Sequence, residues 1–268
     1  MSRRRAGLLV VMFVLARVPA LAEDRLAEAR NYYNQELFEL AMKAADVARA
    51  DAAVADEAAL IIARSNLERY RQSHDAQNLS AAREALRGID AVKLSPRGQA
   101  ELTVGLGEWL FLNERYGPAA ELFDTALGKT DVLGSGSRDR VLDWWATSVD
   151  RHAQVTPLHR AELYHRILDR MDEELRERPG SPAAAFWLPA AARSLGDLDR
   201  AWTAAIAGWL RARVMSDHGS ALRADLDRLV QTAIIPERAR ELARPSRDTR
   251  DAVDSMNAEW ESLKSQWK

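Results

Sequence analysis

The chain contains no cysteine among its 268 residues, and glycine and proline are sparse, at 13 and 9. The absence of cysteine excludes disulfides, thiolate metal sites, iron–sulfur clusters and thiol catalysis. With 47% hydrophobic and 29% charged residues, the composition also excludes collagen-like and low-complexity chains. Beyond residue 22, no stretch sustains the alternation of apolar and polar residues that predicts β-strands. We therefore expect a globular, all-α protein.

The first 22 residues have the three parts of a secretory signal peptide. Arg3, Arg4 and Arg5 form a charged start, and the apolar run 6–16 is shorter than the ~20 residues that span a bilayer. The small residues of Ala20-Leu21-Ala22 predict cleavage between Ala22 and Glu23. Because the chain has no cysteine for a lipid anchor, we expect a periplasmic or secreted protein without stable membrane insertion after the leader is removed.

Removal of this leader changes the charge of the chain. The whole chain has a formal net charge of −2, whereas residues 23–268 carry 34 basic and 40 acidic residues, a net charge of −6. A mildly acidic chain lacks the basic surface that attracts nucleic acid or anionic lipid. We therefore expect no nucleic-acid partner.

Helix-start signals punctuate the remaining sequence. Ser95-Pro96, Thr156-Pro157 and Ser181-Pro182 each place a capping hydroxyl before a proline at the first helical position. The segment 134–137, Gly-Ser-Gly-Ser, predicts a flexible break. Towards the C-terminus we expect one helix over 221–232 and another that starts at Pro236.

Small and bulky residues recur at the spacing that lets paired antiparallel helices approach closely. This pattern resembles the tetratricopeptide repeat (TPR), a helix–turn–helix unit of 34 residues. The most specific unit runs from Ala100 to about Lys129, and its signature positions are Leu106, Gly107, Tyr116, Ala119, Phe123 and Ala126. Two further units match over 182–215, through Leu188, Gly196, Leu198 and Ala201, and over 23–51, through Ala29, Tyr32, Phe38, Ala41 and Ala48. Segments 56–94 and 137–179 fit with longer turns.

The resemblance implies a right-handed solenoid of about five TPR-like helical hairpins over residues 23–215, followed by a C-terminal helical cap over 216–268. In the cap, five apolar residues recur at spacings of three and four and so line one stripe of a helix. They are Val253, Met256, Trp260, Leu263 and Trp267. Such a stripe can seal the last repeat or dock to a partner through its tryptophans; sealing is the commoner role.

If the resemblance holds, the first helices of the pairs line a concave, partner-binding surface. The positions it assigns to that surface are Arg30, Tyr33, Asn34, Arg64, Glu68, Glu108, Phe111, Leu112, Thr147, Asp150, Phe186 and Arg193. Aromatic residues lie beside both signs of charge there, which suits a peptide or protein partner. The lysine and asparagine set with which some TPR proteins clamp a C-terminal carboxylate is absent. An adaptor or assembly factor in the cell envelope is the function that follows.

The alternative is a helical ligand-binding protein or metal-dependent enzyme with a site in a central cavity. It requires His152, His159 or His165 to converge with Asp150 or another carboxylate. Spacings of seven and six do not place these histidines on one helix face, as i, i+4 spacing would. No phosphate-binding loop, nucleophile elbow, HExxH or EF-hand motif is present. We therefore expect no catalytic residues, no metal site and no cofactor.

Overall fold

A computed structural model describes residues 18–134, 136–215, 219–242 and 248–267. These residues form helices joined by short connections and contain no strand, which confirms the all-α prediction. Most of the predicted signal peptide, residues 1–17, lies outside the described residues. None of the helices in the described ranges combines the length and the apolar character needed to cross a bilayer.

Contacts within the chain divide it into two compact units, residues 1–135 and 136–268. The division falls at the predicted Gly-Ser break and inside the span assigned above to one repeat array. The first unit consists of α1 (Val18–Asn34), α2 (Phe38–Ala48), α3 (Ala55–Ser73), α4 (Ala76–Arg87), α5 (Pro96–Leu112) and α6 (Tyr116–Leu127). The second consists of α7 (Ser137–Val155), α8 (Arg160–Glu177), α9 (Pro182–Ser194), α10 (Leu198–Arg211), α11 (Ser220–Leu229), α12 (Ile235–Leu242) and α13 (Thr249–Gln266).

Several pairs of consecutive helices pack against each other as hairpins within each unit. In the first unit, α1 packs on α2, α3 on α4, and α5 on α6, and the first helices α1, α3 and α5 also contact their neighbours in this series. In the second unit, α9 packs on α10, while α7 contacts α8 and α9, and α9 contacts α11. Each unit thus places the first helices of successive hairpins side by side.

Three of the hairpins share one turn geometry. Glu36, Glu114 and Gly196 each lie two residues after the end of the first helix and have a left-handed backbone, with φ of 61°, 59° and 80°. In each turn the next residue donates its amide to a carbonyl five positions earlier: Leu37 to Tyr32, Arg115 to Leu110, and Asp197 to Ala192, at 2.9, 2.9 and 3.0 Å. These hairpins contain the three segments with the clearest repeat signature. The local backbone therefore repeats where the sequence pattern repeats.

Small residues allow the helices of the first unit to approach closely. Ala29, Ala41, Ala45 and Ala58 are fully buried where α1, α2 and α3 meet. Gly107 of α5 lies against the ring of Phe123, which is itself fully buried on α6. Alanine carries only a methyl group and glycine has no side-chain carbon, so the helix backbones can approach closely at these positions.

Two of the three predicted Ser/Thr-Pro helix starts are confirmed. Ser95 accepts a hydrogen bond from the amide of Gly98 at 3.1 Å, and Ser181 accepts one from the amide of Ala184 at 3.3 Å, each with proline at the start of the helix. The prediction is wrong at Thr156, whose side chain caps nothing and instead donates to the carbonyl of His152 at the end of α7. Pro157 begins a single 3₁₀ turn, Pro157–His159, before α8.

The two helices predicted around Pro236 are present as α11 and α12, but they are not separated by a break. The backbone runs without a break from α11 through a π-helical segment, Val230–Ile234, into α12. Proline lacks an amide hydrogen and its ring crowds the carbonyl of the preceding turn. A π-helical segment changes the hydrogen-bond spacing just before Pro236, so the helix continues through the proline.

The tryptophan stripe on α13 packs against other helices of the second unit. Trp260 is fully buried, donates a hydrogen bond from Nε1 to Asp227 at 2.7 Å and packs on Trp209, with ring centroids 5.3 Å apart. Met256 is buried as well, whereas Trp267 is 42% exposed. Within this unit, α13 therefore covers apolar surface of α10 through the middle of its stripe.

Candidate functional site

The strongest concentration of predicted site residues lies where α1, α3 and α5 adjoin, called here the α1–α3–α5 face. The guanidinium of Arg64 on α3 lies 4.7 Å from the centre of the Tyr33 ring, and its Nη1 lies 3.7 Å from a carboxylate oxygen of Glu101 on α5. Glu68, one turn further along α3, and the buried Glu108 on α5 both act electrostatically on Arg64. Four residues assigned to the binding surface from sequence, Tyr33, Arg64, Glu68 and Glu108, thus meet in one cluster.

The electrostatics of this cluster centre on Arg64. Burial alone would lower the pKa of Arg64, but Tyr33 and the carboxylates of Glu108, Glu101 and Glu68 raise its pKa above the ordinary arginine value. The guanidinium is therefore charged near neutral pH. Its Nε is buried and has no hydrogen-bond partner among the described residues.

A carboxylate that the sequence analysis did not single out connects all three helices of the face. Glu57 on α3 accepts a hydrogen bond from Arg30 of α1, and its other oxygen accepts from the amide and hydroxyl of Ser95, the cap of α5, at 3.1 and 2.6 Å. A Cβ added at Gly98 would lie 2.9 Å from the same carboxylate oxygen. Arg30 is thus held in place by Glu57 and is not a free cation.

Two further predicted residues lie towards the end of the face where α1 and α5 finish. Asn34, the last residue of α1, is exposed. Phe111, one residue before the end of α5, is half-buried and packs edge-on against Tyr116 at 5.3 Å, with the half-buried Leu112 beside it in sequence. Asn34 is thus exposed, and Phe111 and Leu112 are partly exposed, whereas Glu108 is buried.

In the second unit the predicted residues are held by separate partners. Asp150 accepts a hydrogen bond from the hydroxyl of Tyr164 on α8 at 2.8 Å, and Arg193 on α9 makes paired hydrogen bonds to Glu237 on α12, from Nε at 3.0 and 3.1 Å. Phe186 packs edge-on against Trp187. Among the described residues no hydrogen bond or ring contact joins Asp150, Phe186 and Arg193 to one another, and Thr147 lies half-buried on α7.

Burial raises the pKa of Tyr164, and its hydrogen bond to Asp150 raises it further. Tyr164 therefore stays a neutral hydrogen-bond donor near neutral pH. Asp150, which also accepts a hydrogen bond from Gln154 at 2.7 Å, is occupied within the fold.

A second acidic position in this unit was missed by the sequence analysis. Asp143 on α7 accepts a hydrogen bond from Nε1 of Trp187 on α9 at 2.8 Å. Burial raises the pKa of Asp143 and the negative charge of Asp225 on α11 adds to this, while the hydrogen bond from Trp187 opposes it. Asp143 lies four residues before Thr147 on the same helical face, and this i, i+4 spacing is the signal that could have identified it.

The histidines do not form a metal site in the part of the chain that the structure describes. His152 bonds to Thr156, His159 lies near Glu162 at 3.4 Å, and His165 is exposed. Across the described ranges, no group of three or more histidine, aspartate or glutamate side chains could hold a metal ion. The convergence of histidines that a metal-dependent enzyme would need is not found there.

Comparison with known proteins adds no identification. No family model matches the chain, and neither the curated proteins nor the solved structures contain a significant match to it. The likeness to TPR proteins therefore stays a prediction from the sequence. The α1–α3–α5 face is the feature on which a function can be proposed.

Proposed function

We propose that this protein is an exported, TPR-like interaction module that holds a peptide segment of a partner protein across the α1–α3–α5 face. The observation that carries the proposal is the gathering of Tyr33, Arg64, Glu68 and Glu108 on adjoining first helices of three successive hairpins. The shared turns at Glu36, Glu114 and Gly196 support a repeated hairpin. In helical-repeat proteins such adjoining helices commonly form the extended binding surface.

The ion pairs of Arg30 and Arg64 limit which kinds of peptide the α1–α3–α5 face can bind. Arg30 is bound to Glu57, and Arg64 is surrounded by carboxylates, so both cations are already neutralised within the protein. Neither arginine is therefore available to bind a carboxylate or a phosphate group of the partner. Asn34 and Phe111 instead offer an amide and an aromatic ring. A peptide recognised by its backbone and by one apolar side chain fits this face.

The binding proposal can be tested with a photo-crosslinking amino acid at single positions of the full-length protein in its native cells. We expect incorporation at Asn34 and at Phe111 to capture the same partner, identified by mass spectrometry. Incorporation at Val92, which is 89% exposed on the turn Ala91–Lys93, is the matched control. Capture of one partner equally at all three positions would contradict the assignment of this face.

A charge reversal then tests the affinity for the captured partner. Glu68 is 23% exposed on the face, whereas Glu84 is 56% exposed on α4, the second helix of its hairpin. We expect Glu68→Lys to weaken binding of the purified partner at least ~10-fold, a change of ~1.4 kcal/mol. We expect Glu84→Lys to leave it unchanged. Equal affinities for both variants and the parent protein would remove Glu68 from the site.

Export has its own test, which is independent of the binding site. The composition of residues 1–22 supports a cleaved leader. We propose that the protein functions in the periplasm or outside the cell and begins at Glu23. Intact mass analysis of the protein from native envelope and medium fractions should give a chain of residues 23–268. Recovery of the protein only from the cytoplasm and only with its first 22 residues would refute this.

A further inference from the structure

The second helix of the first hairpin leaves an unusual surface uncovered. Among the large apolar side chains that are exposed, Leu40 and Val47 lie on α2, and Val47 is 59% exposed. Between α2 and α3 lies an open groove of about 640 Å³. Its apolar part is formed by Met42, Val47 and Ile62, and its charged part by Glu39, Lys43, Asp46 and Arg69. This set is called here the α2 groove.

The α2 residues of the groove form one stripe of the helix. Positions 39, 42, 43, 46 and 47 recur at three- and four-residue spacing. The buried face of α2 consists of Phe38, Ala41, Ala44, Ala45 and Ala48, which lie on the opposite side. The groove is therefore a second, outward apolar stripe and not an extension of the core.

The charges on this stripe are self-complementary. Glu39 is near Arg69 of its own chain at 3.4 Å, and Asp46 bonds to Arg49 at 2.8 Å. Lys43 has no ion-pair partner in the described part of the chain. We propose that the α2 groove is a contact between two copies of this protein, in which their α2 helices lie antiparallel about a two-fold axis between residues 44 and 45.

This symmetry makes the chemistry of the contact specific. Lys43 of each copy then lies opposite Asp46 of the other copy. Each lysine therefore gains a carboxylate partner, and the dimer contains two such pairs. Met42 of each copy lies opposite Val47 of the other, and this covers the exposed side chain of Val47. An axis through residue 43 itself would place two lysines together. The charge pattern therefore selects one register.

The surface involved is that of one short helix and its groove from each copy. Interfaces of this size support weak association, with a dissociation constant on the order of 10–100 μM. The α2 groove is formed by α2 and α3 and differs from the α1–α3–α5 face. Self-association can therefore hold or fail independently of the proposed peptide binding.

Sedimentation velocity of the purified protein over a wide concentration range tests the proposal. We expect reversible dimers, and we expect Lys43→Glu or Asp46→Lys to weaken dimerisation at least ~10-fold through like charges across the axis. The double variant Lys43→Glu/Asp46→Lys restores opposite charges, so its dimerisation should return to within ~3-fold of the parent. Recovery in the double variant is a result that misfolding would not produce.

Apolar variants and a crosslink complete the test. Val47→Asp should abolish the dimer and Val92→Asp, also on exposed surface, should not. Because the chain has no cysteine, Lys43→Cys provides a single thiol near the axis, which a short bismaleimide should link into covalent dimers, whereas Val92→Cys should not link. A protein that stays monomeric up to ~1 mM, or charge variants that dimerise like the parent, would overturn the proposal. Either result would mean that a second copy of this protein does not occupy the α2 groove.

Discussion

Glu114, in the turn between α5 and α6, has the same left-handed backbone as Gly196, in the turn between α9 and α10, with φ of 59° and 80°. Glycine adopts this conformation readily, whereas a residue with a side chain is strained there. Both turns close with the same backbone hydrogen bond, from Arg115 to Leu110 and from Asp197 to Ala192. One repeated turn is thus made by a favourable residue in one hairpin and an unfavourable one in another.

We expect Glu114→Gly to stabilise the protein by about 0.5–1 kcal/mol, because it removes the strain of a left-handed glutamate. The free energy of unfolding, measured with urea by circular dichroism, reports the change. Arg115→Gly is the matched control, since Arg115 has φ of −92° and glycine there only adds freedom to the unfolded chain. The control should be less stable than the parent. A Glu114→Gly protein of unchanged or lower stability would contradict the proposal that the backbone at Glu114 is strained.

Gly107→Ala tests the close contact between α5 and α6. A Cβ at position 107 would lie 2.9 Å from Cε1 of Phe123, a fully buried ring. We expect a loss of about 1–3 kcal/mol from this overpacking. Gly88→Ala is the control, because its nearest neighbour would be a carbonyl oxygen at 3.6 Å, an ordinary contact. If the two variants unfold at the same urea concentration, the contact between position 107 and Phe123 does not limit how closely α5 and α6 pack.

Glu174 on α8 links stability to acid pH. Burial disfavours its charged form, but hydrogen bonds from Arg178 and Arg138, at 2.5 Å from Nε of Arg178 and 2.8 Å from Nη2 of Arg138, lower the pKa of Glu174 to about 2. The pKa is therefore lower in the folded than in the unfolded chain, so this stabilisation is complete above the usual carboxylate pKa and is lost as pH falls towards 2.

We expect Glu174→Gln to lower stability at pH 7 by about 1–3 kcal/mol, because two arginines lose their common carboxylate. The difference from the parent protein should shrink between pH 5 and pH 2–3 in urea titrations. Glu173→Gln, at the exposed neighbouring position, should change stability little at any pH. A constant difference between Glu174→Gln and the parent over this range would show that the carboxylate charge is not responsible.

The charge of Asp143 should affect stability in the opposite direction from that of Glu174. Its pKa is raised in the folded protein, so its ionisation weakens the folded state as pH rises above the ordinary aspartate pKa. An asparagine side chain at this position would still accept the hydrogen bond from Trp187, without the charge. We expect Asp143→Asn to be as stable as the parent near pH 3 and slightly more stable at pH 7, because the charge is absent. Asp169→Asn, exposed on α8, is the control, and a destabilised Asp143→Asn at pH 7 would contradict the raised pKa.

Local patterns in the sequence predicted a substantial part of the fold. Apolar spacing and the absence of alternating segments predicted helices throughout, and Ser95 and Ser181 predicted two helix starts. Signals of this kind depend on neighbouring residues, which stay neighbours in any helix. Where a competing local bond exists, as between Thr156 and His152, the same signal failed.

The candidate site was predicted only in part, because side chains from distant segments decide it. The TPR-like spacing identified Tyr33, Arg64, Glu68 and Glu108, which the structure brings together. It did not identify Glu57 or Glu101, since charged residues at these positions look like an ordinary solvated helix face.

The sequence by itself determined the helical class and the helix starts at Ser95 and Ser181, because each depends on a short continuous segment. The tertiary structure alone decided which charges are neutralised: Arg30 by Glu57, 27 residues away, and Arg193 by Glu237, 44 residues away. Those pairings exist only after the helices pack, because packing brings together side chains that no local periodicity relates. These pairings therefore decide which charged groups remain available to a partner.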